Sequence, residues 1–364
     1  MQLVAYGAQD VYLTGNPKVT FFQAVYKRHT NFAMENIEQT VNGTASDSGR
    51  VSVTIARNGD LVSDMYVELK AKASIEKTAG DVDDDCWAAE RAIKDVELSV
   101  GGQRIDKHYQ RWWRLYSELY LDESKKATWG KMTSPAVDGG QMFLPLIFFF
   151  NRNPGLALPL IALQYHEVRL DFDLSSEFDQ YTDGSTFKVY ANYIYLDTEE
   201  RKFFTDNEHD LLFTQTQHQL ATSTDTEIDL TYFNHPVKSI HLVSGKATGN
   251  DWDSEFTFSK SSLYINGTPL FEETSPVYHH TVVPEMHSSD LPDDILEDLP
   301  TFTWPFCLSL SRSNPTGTLN FSRIDNAKLA ITGPSGGNNL HRVYAVNYNI
   351  LRIKKGMGGV AFGN

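Results

Sequence analysis

The chain has 364 residues, 41% apolar and 12% aromatic, enough to bury a sizeable core in two ordinary domains. Its formal charge of −15 argues against a surface that wraps nucleic acid directly, because displacing phosphate counterions takes an excess of Lys and Arg. Cys86 and Cys307 are the only cysteines and fall in different halves, so no disulfide framework is indicated and a reducing compartment fits.

The opening MQLVAYGAQD has no basic or apolar leader region, so a secretory signal is not expected. Residues 1–33 read as an arm. It carries Tyr12, Phe21, Phe22 and Tyr26 with a basic cluster at Lys27, Arg28 and His29, and is expected to pack on a neighbouring protein or beneath its own domain.

The chain's 21 Phe and 17 Tyr favour strands, and from Met34 turn signals recur at Asn42-Gly43, Asn58-Gly59, Gly101-Gly102 and Asp183-Gly184. This spacing predicts a β-sandwich. One helix is predicted around Tyr109–Leu121, where Trp112, Trp113, Leu115, Tyr116, Leu119 and Tyr120 recur at helical spacing as packing residues.

The stretch Phe143–Phe172 holds two apolar runs split by Asn151-Arg152-Asn153-Pro154-Gly155. Arg152, Pro145, Pro154 and Pro159 exclude a membrane-spanning helix. The segment reads as strand, turn, strand, a central hairpin with both faces covered, by a second sheet and by a neighbouring domain or subunit.

Landmarks in the two halves match in order. Val53 through Met65 resembles Ile228 through Ile240; Leu98–Gly102 resembles Leu263–Gly267; Arg152-Asn153-Pro154 resembles Arg312–Pro315; Val189-Tyr190-Ala191 resembles Val343-Tyr344-Ala345. The offset shrinks steadily along the chain, as it would for two copies of one fold whose second copy has shorter loops. The expected architecture is all-β, a tandem double jelly roll of two eight-stranded sandwiches with short helical insertions. Its parts are an arm at 1–33, a first roll at 34–198, a charged linker at 199–212 and a second roll at 213–364.

Chemistry is thin. No GxxxxGK[ST], GxSxG or HExxH motif is present, so no enzyme and no cofactor is expected. His279, His280 and His287 are the best metal candidates, but adjacent strand histidines face opposite ways, and no metal site is assigned. The acidic runs Asp81, Asp83, Asp84, Asp85 and Asp290, Asp293, Asp294, Glu297, Asp298 lack calcium-loop spacing and read as exposed loops. Arg352, Lys354 and Lys355 form the best local basic patch. Asn42, Asn266 and Asn320 head glycosylation sequons; Asn266-Gly267 reads first as a type I′ turn and Asn320 as a half-buried strand residue.

Several motifs are specific. Gly7–Pro17, Tyr26–Phe32, Gly101–Asp106, Asn151–Glu167, Leu196–Arg201, Pro315–Ala327, Asn347–Ile353 and Gly356–Gly359 together resemble the major capsid proteins of the nucleocytoplasmic large DNA viruses. The resemblance covers the whole chain. It implies a homotrimer of double jelly rolls with a pseudo-sixfold outline that tiles an icosahedral shell, made in host cytoplasm and found in the virion. It also implies minor capsid proteins beneath the shell as partners of the arm, with no direct nucleic acid contact. A smaller capsid paralogue or a poxvirus-type scaffold shares the fold. Two other jelly-roll functions compete: a carbohydrate-binding protein using Trp252 and Trp304, and a cupin-type enzyme, which the scattered histidines disfavour.

Overall fold

The computed structural model describes residues 5, 7–73, 87–137, 139–246, 256–288, 300–335 and 339–363. Short strands at 41–42, 158–159, 319–320 and 357–360 aside, each half contributes eight strands. The first half holds β1 (Phe32–Gln39), β2 (Arg50–Thr54), β3 (Leu61–Ala71), β4 (Ile93–Val100), β5 (Gln103–Tyr109), β6 (Gln141–Pro145), β7 (Val168–Leu174) and β8 (Thr182–Leu196). The second holds β9 (His209–Thr222), β10 (Glu227–Asp229), β11 (Pro236–Lys246), β12 (Lys260–Ile265), β13 (Thr268–Thr274), β14 (Thr301–Pro305), β15 (Ala327–Thr332) and β16 (Asn339–Lys354). Helices among the described residues include α1 (Asp10–Thr14), α2 (Gln110–Tyr120), α3 (Glu123–Thr133), α4 (Thr198–Asp206) and α5 (Val283–His287), alongside short helices at Ala88–Ala92, Phe149–Arg152 and Phe178–Tyr181.

In the first half the sheet β1-β8-β3-β6 packs on β2-β7-β4-β5; the second half repeats this as β9-β16-β11-β14 and β10-β15-β12-β13. All pairings are antiparallel, and each half is a jelly roll. The alternation of the strands drives the packing. On β3, Met65, Val67, Leu69 and Ala71 are buried between the sheets, while Asp64, Tyr66, Glu68 and Lys70 turn outward.

The repeat holds to the level of register. Ala191 lies opposite Met65 and Val189 opposite Val67, as Ala345 lies opposite Ile240 and Val343 opposite Leu242. The hairpins β4–β5 and β12–β13 also match. Gly101 and Gly102 have φ of 57° and 82°, Asn266 and Gly267 of 47° and 80°, so both turns use two left-handed residues, as a type I′ turn requires.

Some expectations need correction. Phe143–Phe172 is not a hairpin: β6 pairs with β3 in one sheet, whereas β7 pairs with β2 and β4 in the other. Helical turns at Phe149–Arg152, Pro154–Leu156 and Leu160–Ala162 carry the chain across, with Pro145 and Pro159 ending strands and Pro154 opening a turn. Strand β1 starts at Phe32, inside the segment read as the arm, and β9 starts at His209, inside the segment read as the linker; α4 occupies most of the joint. Helix α2 falls where periodicity placed it, and α3, which follows it, had no comparable apolar stripe.

Candidate assembly interface

The two rolls differ in what covers the outer face of the sheet led by β1 or β9. In the second roll that face is closed from within the chain. Trp112 of α2 lies 5.5 Å from Tyr344, Tyr109 stacks on His218 at 4.1 Å, and Phe149 meets Phe213 at 4.8 Å. Phe213, Val243, Tyr344, Val346, Leu351 and Ile353 belong to the apolar cluster of the first roll although they are built by strands of the second. The edge strands touch as well: Gln215 Nε2 donates to the Ile105 carbonyl at 2.5 Å, and the Thr216 N–H donates to Asp106 Oδ1 at 3.0 Å.

Several polar groups in this contact bond to their neighbours, while the Tyr344 hydroxyl and His218 Nε2 are buried without a hydrogen bond among the described residues. His241, fully buried, lies 2.9 Å from Ser239 Oγ and from Thr303 Oγ1 and 3.3 Å from the Tyr120 hydroxyl. Burial holds its imidazole neutral by driving the pKa down to about 3. Behind α2, Glu90 accepts from Trp129 Nε1 at 2.6 Å, while Arg114 and Lys126 approach Glu118 at 3.2 and 3.8 Å. Burial raises the Glu90 pKa, with Arg114 opposing it. This ionic cluster fixes α2 and α3 against the first roll, and nothing in the spacing of its residues announced it.

Two distant sequence motifs meet at the same boundary. The Tyr165 N–H donates to the Gly356 carbonyl at 3.0 Å, and His166 Nδ1 lies 2.8 Å from the Gly358 carbonyl. A Cβ on Gly358 would stand 2.5 Å from Leu163, so this approach requires glycine.

Among the described residues, nothing comparable covers the corresponding face of the first roll. Tyr66 and Tyr190 stack at 5.2 Å with Phe143 at 5.9 Å from Tyr66, and all three are only half-buried. Tyr190 and Tyr66 hold the register positions that Tyr344 and His241 hold in the second roll, where both are fully buried. Beside them, Phe32 and Met34 of β1 are each 53% exposed. Ahead of β1 the described residues of the arm are almost all exposed, Phe21 and Phe22 by more than nine-tenths.

The remaining candidates separate. Asn42, Asn266 and Asn320 are all exposed, which corrects the expected half-burial of Asn320; Asn266 accepts from the N–H groups of Asp325 and Asn326, and Asn320 from that of Ser322. His279 and His280 lie in a helical turn rather than a strand. Both are buried, bonded through Nδ1 to the carbonyls of Thr303 and Thr301, and no group of three metal-ligating side chains occurs among the described residues. The acidic runs at 81–85 and 290–298, Cys86 and Trp252 lie outside the described residues, and Cys307 is buried and unpaired. Trp304 is 1% exposed, which removes it as a sugar platform. The basic patch is neutralised in part: Arg352 pairs with Asp210 at 2.8 Å and Lys354 with Glu208 at 2.7 Å. No described helix is long and apolar enough to cross a membrane.

The duplicated jelly roll defines the class: a double jelly-roll protein. Residues 20–197 match the family described as major capsid protein N-terminus, and residues 200–359 match large eukaryotic DNA virus major capsid protein. The major capsid protein of Pyramimonas orientalis virus is 40% identical over 100% of this chain and 99% of its own length; that of Paramecium bursaria Chlorella virus 1 is 36% identical with the same coverage. A crystal structure of PBCV-1 VP54 superposes with a TM-score of 0.82 at 33% identity over 95% of this chain and 100% of the other. The chain belongs to the family of major capsid proteins of large eukaryotic DNA viruses. Its relatives are structural proteins of the virion rather than enzymes, and its role is that of a capsid protein.

Proposed function

We propose that this chain is the principal shell protein and that three copies close into a pseudo-hexagonal capsomer. The observation that carries this is the asymmetry of the rolls. Both present the same sheet outward, yet one face is buried by α2 of the same chain and the other stays open, so a contact made within the chain is available to be made again between chains. Three chains supply six similar rolls, which suits a hexagonally packed shell. The first roll ends near residue 198 and the second begins near 213 in this reading, with the intervening charged segment as connector.

The exposed aromatic arm faces minor capsid proteins under the shell, assembly occurs in host cytoplasm, and the acidic chain leaves nucleic acid to other components. Analytical ultracentrifugation and electron microscopy of purified protein test the central claim. The expected result is a species of three times the 41.1 kDa chain mass with a hexagonal outline; a monomer at micromolar concentration refutes it.

A further inference from the structure

The two copies of one sequence landmark meet in space. Arg152-Asn153-Pro154 and the Arg312-Ser313 start of its counterpart line a single cavity of about 210 Å³ between the rolls, where Asn153 Nδ2 donates to Ser313 Oγ at 3.4 Å. Lys238 of β11 lines the same cavity. We propose that it binds a small phosphate anion, inorganic phosphate or diphosphate, on Arg152, Lys238 and Arg312.

The charge there is unbalanced. Three cations line the cavity and no Asp or Glu does among the described residues, in a chain whose formal charge is −15. Lys238 is 3% exposed and donates to the carbonyls of Leu310 and Arg312, the latter at 3.0 Å, while an ammonium has a third N–H to give. Burial lowers its pKa to about 8, Cys307 opposing and Arg152 adding to the fall, and no carboxylate acts on it. Arg152 donates to Thr214 Oγ1 at 2.6 Å and lies 6.0 Å from the Tyr116 ring; the exposed Arg312 side chain makes no bond to a described residue. Other buried cations do have a counter-charge, since Arg114 and Lys126 approach Glu118. An uncompensated buried charge is costly, so this cavity gains by taking an anion from solution.

Phosphate suits the donors. Arginine forks meet its oxygens in pairs, and lysine meets them as a point charge. A single carboxylate brings one negative charge to three positive ones, whereas phosphate carries up to two and diphosphate more. The cavity is well above the roughly 15 Å³ that one water needs, so either anion has room. Because Arg152 belongs to the first roll and Lys238 and Arg312 to the second, the bound anion ties the rolls together. The site is complete within one chain and does not rest on the trimer.

Calorimetry tests the site. The full chain is titrated with inorganic phosphate and, separately, with diphosphate, against chloride at equal ionic strength. The expected result is one anion per chain and a thermal midpoint raised by about 2 °C at ten times Kd, by linkage of binding to folding. Arg312→Gln is expected to weaken binding by about fivefold with wild-type circular dichroism, as loss of one charge-assisted contact at an exposed position. Arg323→Gln, an exposed cation outside the cavity, is expected to bind as wild type. Tighter binding of diphosphate assigns the longer anion, and tighter binding of phosphate the single one. No heat and no rise beyond chloride overturns the site, as does a rise that survives in both Arg312→Gln and Arg152→Gln, which is then general salt stabilisation.

Discussion

Gly245 shows how tightly the two rolls are matched at the level of single atoms. It lies on β11, and a Cβ placed there would fall 1.7 Å from Nη1 of Arg111, a buried residue of α2. Arg111 therefore occupies the space that any side chain at 245 would need. Gly245→Ala is expected to destabilise the protein by roughly 1–3 kcal/mol, the usual cost of overpacking a filled interior, read as a lower urea midpoint. An unchanged midpoint would mean that the guanidinium has another berth. Leu158, by contrast, is buried inside the first roll beside β3, so placing a carboxylate there breaks that roll's own core rather than a contact between subunits.

At the level of elements, the parts legible in the sequence were those with a strong period or an obligatory turn. The aromatic stripe of α2 and the Gly101-Gly102 and Asn266-Gly267 turns each have one physical solution, and all three were found where the pattern put them. The Met65–Ile240 and Val189–Ala191 with Val343–Ala345 landmarks of the repeat occupy matching register positions because their core residues must face their own roll, whereas Arg152–Pro154 and Arg312–Pro315 lie in connecting segments outside the ladders. Phe143–Phe172 misled because apolar runs on both sides of a turn look alike whether their strands pair or cross between sheets; strand partners are tertiary information. The contrast between the closed and open faces was equally invisible, since Tyr190 and Tyr344 sit in the same Val-Tyr-Ala triplet. The arm was recognised by its aromatics, but not its exposure. Because its described residues ahead of β1 are almost all exposed, removing residues 1–31 is expected to leave the thermal midpoint within about 2 °C of wild type, since only surfaces buried in the fold contribute to it, while abolishing assembly beyond the capsomer. Calorimetry and electron microscopy read the two arms of that prediction.

Across the whole molecule, the second roll carries an acid sensitivity that the first does not share to the same degree. His218, His241, His279 and His341 all lie in it, and burial lowers their pKa values from 6.5 to about 4, 3, 4 and 4. In the folded protein they stay neutral while the unfolded chain protonates, so the stability they share is intact above about pH 6.5 and is lost as pH falls toward 4. Glu90 and Asp95 act in the opposite sense, since burial raises their pKa values and lets the folded state hold protons first. The four histidines outnumber them. Urea midpoints are expected to drop between pH 7 and 5, each histidine contributing up to about 1.4 kcal/mol per pH unit, and His218→Gln should make the slope shallower. A flat profile would show that these imidazoles are hydrated.

The mixed ownership of the first roll's apolar cluster also bears on the order of synthesis. The N-terminal half leaves the ribosome first and can fold early, but Trp112 meets Tyr344 only when β16, the last long strand, has been made. Until then the nascent chain shows the aromatic side of α2 to whatever surrounds it, the kind of surface that chaperones hold. Leu351 and Ile353, at the far end of β16, complete the seal. A chain cut short of them would lack part of that apolar cluster and keep the surface of α2 less completely covered.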